Sequence, residues 1–269
     1  MKSAITVSLV SQAKGGPFVF WEGLENAFQT ASELGFDAIE IFPESADSFQ
    51  VEEVQALCER FNLEVAAVGT GAGMVIQKLH LTSADATIRS KAMEFIKEII
   101  TVAAKLNSPA IIGSMQGKFE GDVTKGQALE YLKSALNDLG EYAKSQGQVL
   151  LYEPLNRYET NLLNRLDETV AFLKELETDH VKILADLYHE NIEERNLAEA
   201  IVEAGDSIGH VHFADSNRHA IGYGHTEIEP IINALKQINY QGYLSAEIIP
   251  LPNSFQAAKQ TIESFQKVV

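Results

Sequence analysis

A single (β/α)8 barrel is the fold class this sequence predicts, and three observations predict it. Eight short apolar, β-branched runs alternate with segments of helical periodicity along the 269 residues, the pattern of parallel strands covered on both faces. That length suits such a barrel as one domain, typically about 250 residues. Four residues with ligand chemistry, Glu153, Asp186, His212 and Glu247, close the last four runs at intervals of 33, 26 and 35 residues. One strand plus one helix takes roughly 30 residues in such a barrel, so this spacing aims all four side chains at one mouth.

The elements follow in order. Strand one is expected at residues 5–10, and Lys14-Gly15-Gly16-Pro17 comes after it without the G-x-G-x-x-G phosphate turn of a doubly wound open sheet, the structural alternative. Helix 24–34 ends at Gly35, a residue suited to a left-handed cap, before strand 38–42. Helix 51–61 sets Val51, Val54, Leu57, Cys58 and Phe61 on one face, which makes the lone Cys58 a packed thiol rather than half of a disulfide. Strand 65–68, helix 85–106, strand 110–112 and helix 126–145 come next, the last closed by Gln146-Gly147. Strand 149–152, helix 166–176, strand 181–184, helix 197–203, strand 209–213 and helix 230–238 lead to Gln241-Gly242, strand 243–248 and helix 255–268. No Pro/Ser-rich linker, low-complexity tract or charge block interrupts them, so residues 1–269 read as one domain.

Composition narrows the function. A formal charge of −17, from 38 acidic and 21 basic residues, excludes nucleic acid as the expected partner, because phosphate binding needs clustered Lys and Arg. The N-terminus lacks a signal-peptide layout, and no apolar stretch approaches the roughly 20 residues of a membrane span. A soluble, cytoplasmic protein acting on a small molecule is the expectation.

Three carboxylates and one imidazole form a hard, oxygen-rich donor set, better matched to Mn2+, Mg2+ or Co2+ than to a Cys/His structural zinc site. Pro154 keeps the loop after strand five extended over the mouth, carrying a second carboxylate at Glu159. His189 lies three residues beyond Asp186. His210 and His212 share one side of strand seven; His210, deeper along the strand, is expected to pack inside with its nitrogens bonded to neighbours. Arg218, six residues past His212 in a strongly acidic chain, suits a clamp for hydroxyl or carboxylate oxygens.

The segments EPLNRYETN, DLYHENIEE and HFADSNR, with Ala246-Glu247 at the last strand end, resemble in order the divalent-metal ketose 3-epimerases of the xylose isomerase-like TIM barrel superfamily, which includes the D-tagatose and D-psicose 3-epimerases. Weaker similarity runs along the whole chain, through Val68-Gly69-Thr70-Gly71 and through Leu81-Thr82-Ser83 to Ile88-Arg89. Gly69-Thr70-Gly71, Ala214-Asp215-Ser216-Asn217-Arg218 and Gly222-Tyr223-Gly224-His225 look closest to the branch that epimerises 5-keto-L-gluconate to D-tagaturonate. The resemblance implies one divalent ion, Mn2+ first, on Glu153, Asp186, His212 and Glu247, with Glu153 and Glu247 doubling as the acid/base pair. It also implies substrate contacts from Glu159, His189 and Arg218, and a homodimer or homotetramer. His225 is a further candidate for holding an acid substrate. The rival expectations are an aldose-ketose isomerase such as a hydroxypyruvate isomerase, and a non-catalytic metal or sugar-binding barrel. A tri-zinc apurinic endonuclease of the same fold is disfavoured by seven histidines and the acidic charge.

Overall fold

The computed structural model describes residues 1–269. Eight parallel strands, β1 (Lys2–Ser8), β2 (Ala38–Phe42), β3 (Glu64–Gly69), β4 (Ala110–Ile112), β5 (Leu150–Tyr152), β6 (Val181–Asp186), β7 (Ile208–His212) and β8 (Tyr243–Ala246), close into a barrel in chain order. Around them run α1 (Leu24–Leu34), α2 (Val51–Phe61), α3 (Ala72–Gln77), α4 (Ala86–Lys105), α5 (Lys125–Ser145), α6 (Leu166–Leu173), α7 (Leu187–Glu193), α8 (Leu197–Ala204), α9 (Ile228–Gln237) and α10 (Ser254–Val268). This is the xylose isomerase-like (β/α)8 fold. No helix is long and apolar enough to cross a membrane.

The amphipathic faces of the helices bury against the outside of the strands. Phe28 of α1, Val54 of α2, Ile96 and Ile99 of α4 and Leu132 and Leu136 of α5 are fully buried in one cluster with the strands. Ile201, Ile231 and Leu235 form a second cluster against β6–β8. Inside the barrel, Phe42, Ala67, Ile111, Leu151 and Leu184 fill the side of β2–β6 with apolar volume, and Ala4, Ala38 and Ala66 leave room below. The side near β7 is polar.

Strand pairing sets the height of the site. Asp186 pairs with His212 and His212 with Ser245, so the ends of β6, β7 and β8 lie level. Two one-residue slips break the ladders: between Ile39 and Glu40 against β3, and between Ile183 and Leu184 against β7. Such bulges re-aim the side chains that follow them.

Most expected elements stand within two residues of their places, with three physical differences. Strand one stops at Ser8 instead of Val10, because the Ser8 hydroxyl accepts the Val10 N–H and a short 3-10 turn, Ser11–Ala13, begins. Strand eight ends at Ala246, short of Ile248, where the Glu247 N–H turns back to the Ser245 carbonyl. Gly35 takes the expected left-handed conformation and Gly147 shares it, whereas at the end of α9 Asn239 takes it and Gly242 does not. Glycine at 242 serves space, since a Cβ there would collide with the Tyr240 ring. Cys58 is a free, half-buried thiol flanking the main cluster.

Candidate metal centre

Asp186 does three jobs at one position. It ends β6, caps the N-terminus of α7 by accepting the Tyr188 N–H on Oδ1 at 2.8 Å, and leaves Oδ2 buried with no hydrogen-bond partner in the chain. An aspartate is a favoured N-cap, so the helix fixes which oxygen faces the barrel mouth.

Glu153 is held by its backbone. Its N–H donates to the Ile112 carbonyl at 3.0 Å, and its own carbonyl accepts from Gln116 Nε2 at 2.8 Å. Gln116 is locked in turn by the Tyr152 hydroxyl, 2.5 Å from Oε1. The Glu153 carboxylate lies where a side chain at position 113 would stand, and a Cβ on Gly113 would overlap Oε2. Gly113→Ala is therefore expected to displace the carboxylate, lowering Mn2+ affinity and turnover by about 10²-fold, because ångström-scale misplacement costs that much. Calorimetric Mn2+ titration beside a kinetic assay checks this; unchanged values for both would show that the carboxylate does not need that space.

His212 stands at the centre. Its Nδ1 is buried without a hydrogen-bond partner and faces Glu153 Oε1 at 3.4 Å, Asp186 Oδ2 at 3.5 Å and Glu247 Oε2 at 3.7 Å. One donor atom from each of Glu153, Asp186, His212 and Glu247 lies within 4.8 Å of the others, all buried. Ligands about 2.1 Å from an octahedral ion stand about 3 to 4.2 Å apart, and the 3.4 to 3.7 Å from His212 Nδ1 to the three carboxylate oxygens falls in that range. The four residues fit the group their spacing predicts.

The electrostatics suit a cation as well. Burial pushes the Glu153 carboxyl up to about 8, partly offset by His212. Burial also raises Glu247, against the pull of Arg218 and His212. At Asp186 burial is outweighed by His189, His212 and Arg218, which hold its carboxyl below the usual range. Burial would lower His212, yet Glu40, Glu247, Asp186 and Glu153 outweigh it and raise the imidazole well above its ordinary value. Such a cluster of acids stabilises positive charge at its centre.

A cavity of about 260 Å³ opens beside these groups, lined by Glu153, Glu159, His189, Arg218 and Glu247 on one side and by Phe18, Phe42, Val10 and Val75 on the other. His189 Nδ1 lies 2.7 Å from the Asn156 side-chain nitrogen and 3.4 Å from the Asn156 backbone nitrogen. With both nitrogens donating, Nδ1 accepts and Nε2 carries the proton, 3.6 Å from Asp186 Oδ2 and 3.8 Å from Glu153 Oε1. Burial lowers the His189 pKa, consistent with that neutral form. Asn156 also donates to Glu159 Oε1 at 3.0 Å, tying the two lining residues together.

Arg218 adopts a left-handed φ of 60°, bonds Glu247, and lies 3.6 Å from both Asp186 and Glu159, with its guanidinium 4.9 Å from the centre of the Tyr188 ring. Its loop is built on Asp215, whose carboxylate accepts the N–H groups of Ser216, Gly222, Gly224 and Thr226 at 2.7 to 3.0 Å. His225 belongs to this loop but is absent from the cavity wall; its N–H donates to Ser216 Oγ at 3.0 Å. The structure thus brings together every expected site residue except His225.

Four polar residues at or behind the site have roles that the sequence does not assign: Gln116, Asn156, Asp215 and Glu40. The last had a visible signal, a carboxylate in the middle of the apolar run Ala-Ile-Glu-Ile-Phe. Glu40 is fully buried, and its two oxygens meet His210 Nε2 at 2.6 Å and His212 Nε2 at 2.9 Å. His210 packs inside with a bonded nitrogen, as expected.

The chain matches the xylose isomerase-like TIM barrel family over residues 28–268. It is 30% identical over 243 residues to the L-ribulose 3-epimerase of Methylomonas sp. (strain DH-1), covering 87% of this chain and 83% of that one. It is likewise 30% identical over 240 residues to the 3-dehydro-D-guloside 4-epimerase of Escherichia coli (strain K12), covering 85% and 88%. The crystal structure of D-allulose 3-epimerase from Methylomonas sp. in complex with D-allulose superposes with a TM-score of 0.83 at 26% identity, covering 100% of this chain and 98% of that one. With its barrel, its four converging donors and these relatives, the chain belongs to the xylose isomerase-like TIM barrel family and, within it, to the ketose and keto-sugar 3-epimerase group.

Proposed function

We propose that residues 1–269, working as one domain, form a divalent-metal-dependent isomerase that inverts the carbon beside the ketone of a ketose or keto-sugar acid, C3 of a 2-ketose. One observation carries this reading: Glu153 Oε1, Asp186 Oδ2 and His212 Nδ1 are buried, lack hydrogen-bond partners in the chain, and converge beside a cavity. Unpaired buried polar atoms cost about 1 to 3 kcal/mol each, and a shared cation would satisfy all three. The names of the relatives point to the same chemistry, a 3-epimerase of a ketose and a 4-epimerase of a 3-dehydro sugar, each acting next to a carbonyl.

In this reading Glu153, Asp186, His212 and Glu247 hold the ion, with Mn2+ the first choice and Mg2+ or Co2+ able to serve. When bound, a cation there would supply Lewis acidity, lowering the cost of the negative charge that develops when the carbon beside the ketone loses its proton. Glu153 and Glu247 follow β5 and β8, the outer pair of the four strands, and in this reading they serve opposite faces of the substrate. One takes the C3 proton and the other returns a proton to the opposite face. The net result is inversion, with no atom gained or lost. His189 donates from Nε2 to a substrate oxygen, Glu159 accepts a hydroxyl proton, and Arg218 holds oxygens beyond while steadying Glu247.

For the substrate, the Asp215–Arg218 and Gly222–His225 segments support the 5-keto-L-gluconate/D-tagaturonate pair. A second reading, a neutral ketose of the D-tagatose/D-psicose type, is favoured by Arg218 itself. It is the one Lys or Arg side chain lining the cavity, and Glu247, Asp186 and Glu159 already surround it. Metal-free protein reloaded with Mn2+ and assayed on ketohexoses and ketoaldonates decides between them. Epimerised product from one class selects that class; aldose product would select an aldose-ketose isomerase, and binding without turnover on every sugar a non-catalytic barrel. The family resemblance also supports a cytoplasmic homodimer or homotetramer, which sedimentation of the purified chain tests.

A further inference from the structure

The carboxylate of Glu40 reaches across the barrel interior from β2 to β7 and engages two histidines at once. It is an expensive way to fill that space. Burying an ionised carboxylate costs several kcal/mol unless its oxygens are fully paired, and a leucine or methionine would fill a similar volume without that cost. Both oxygens are in fact paired, each by the Nε2 of one histidine, and all three residues are fully or almost fully buried.

The backbone is shaped for this contact. The β6–β7 ladder slips by one residue, placing the extra residue, Gly209, immediately before His210. A Cβ at 209 would collide with Lys182, so glycine permits the bulge that precedes the two inward histidines. On the other side, the β2–β3 ladder slips between Ile39 and Glu40. His210 then stands edge-on to His212, with ring centres 5.6 Å apart at 84°. Glu40 and the His212 ring are thus held from two sides.

Resting on the metal-site reading above, we propose that Glu40 is a positioning residue that keeps the His212 proton on Nε2, so that Nδ1 is the atom offered to the divalent cation. A carboxylate is acceptor-only, so it selects the N–H form of whichever ring nitrogen faces it. The nitrogen facing Glu40 is Nε2; the nitrogen facing Glu153, Asp186 and Glu247 is Nδ1. A carboxylate behind a metal-bound histidine fixes ring orientation and tautomer and raises its basicity. His210, on the second oxygen, stops the carboxylate from rotating away.

Glu40→Gln tests this, because an amide can accept from only one histidine and must donate towards the other. Mn2+ binding to metal-free wild type and variant is measured by calorimetry, with melting curves recorded to confirm folding. Binding 10–100-fold weaker in the variant is expected, and equal affinity would overturn the proposal. A second measurement needs no substitution: 15N-histidine NMR of wild-type protein loaded with diamagnetic Mg2+ should show the His212 proton on Nε2. A proton on Nδ1 in that loaded protein would overturn the proposal. Two Mn2+ per wild-type chain, one of them lost in Glu40→Gln, would also overturn it, because Glu40, His210 and His212 would then be ligands of their own ion. Failure of wild type to bind Mn2+ at all would instead remove the underlying metal-site reading, and the Glu40 proposal with it.

Discussion

Glu153→Gln and Glu247→Gln are each expected to lower kcat by about 10²- to 10⁴-fold, the range for loss of a positioned acid/base group. Glutamine keeps the length and shape of the side chain and can still offer a carbonyl oxygen to a cation, but it cannot take up the C3 proton. The two variants should differ in a telling way. If each glutamate serves one face of the substrate, each single variant retains exchange of the C3 hydrogen with solvent for one epimer and loses it for the other. Mn2+ titration must accompany the kinetics, since both residues are also proposed ligands of the ion; affinity kept within tenfold while kcat collapses assigns the loss to proton transfer. Glu247→Gln carries a second consequence, because it removes the carboxylate bonded to the nearly buried Arg218. Asp186 and Glu159, each 3.6 Å from that guanidinium, remain as partners. Near wild-type turnover in either variant would remove that residue from the proton-transfer role.

Chelation is expected to abolish activity, Mn2+ to restore it, and metal uptake to expel protons. The sign follows from the metal-free site. Burial holds the Glu153 carboxyl at about 8, and the surrounding carboxylates keep the His212 imidazole protonated well above its ordinary pKa despite burial. These groups lie 3.4 Å apart, and at pH 7 the pair holds at least one proton that a cation must displace. Mn2+ affinity therefore rises as pH increases from 6 towards 8, by about tenfold per pH unit for each proton released. Calorimetry in two buffers of different ionisation enthalpy counts the protons. The bound ion also stabilises the fold, by about 2.7 kcal/mol at a concentration of 100 Kd, so chelation lowers Tm. A pH-independent Kd with no proton release would contradict the placement of the ion on these residues.

The parts legible in the sequence share a physical basis. Strands buried on both faces carry near-continuous apolar runs, and Glu153, Asp186, His212 and Glu247 stand out because each ends such a run with a polar group. Long amphipathic helices such as α1 and α2 were placed to the residue by their periodicity. Short helices were not. The α3 segment spans six residues and includes Gly73, while α7 springs directly from Asp186, whose side chain caps it; neither is long enough to show a period. Contacts across the barrel were invisible for another reason. Glu40 and His210 lie 170 residues apart on strands that closure of the barrel sets across its interior, and nothing local in Ala-Ile-Glu-Ile-Phe names the partner. His225 shows the converse. Its loop motif was legible, but the loop folds around Asp215, and His225 does not line the cavity.

In the proposed reaction a proton leaves C3 on one face and returns on the other. The most direct measurement runs the Mn2+-loaded enzyme in heavy water with the ketose or keto acid it turns over, and follows C3 by NMR. Deuterium should enter C3 of the product as the epimer forms, and of the recovered substrate as the reaction reverses. Epimer formed with no deuterium at C3 in either sugar would contradict the two-glutamate proton transfer.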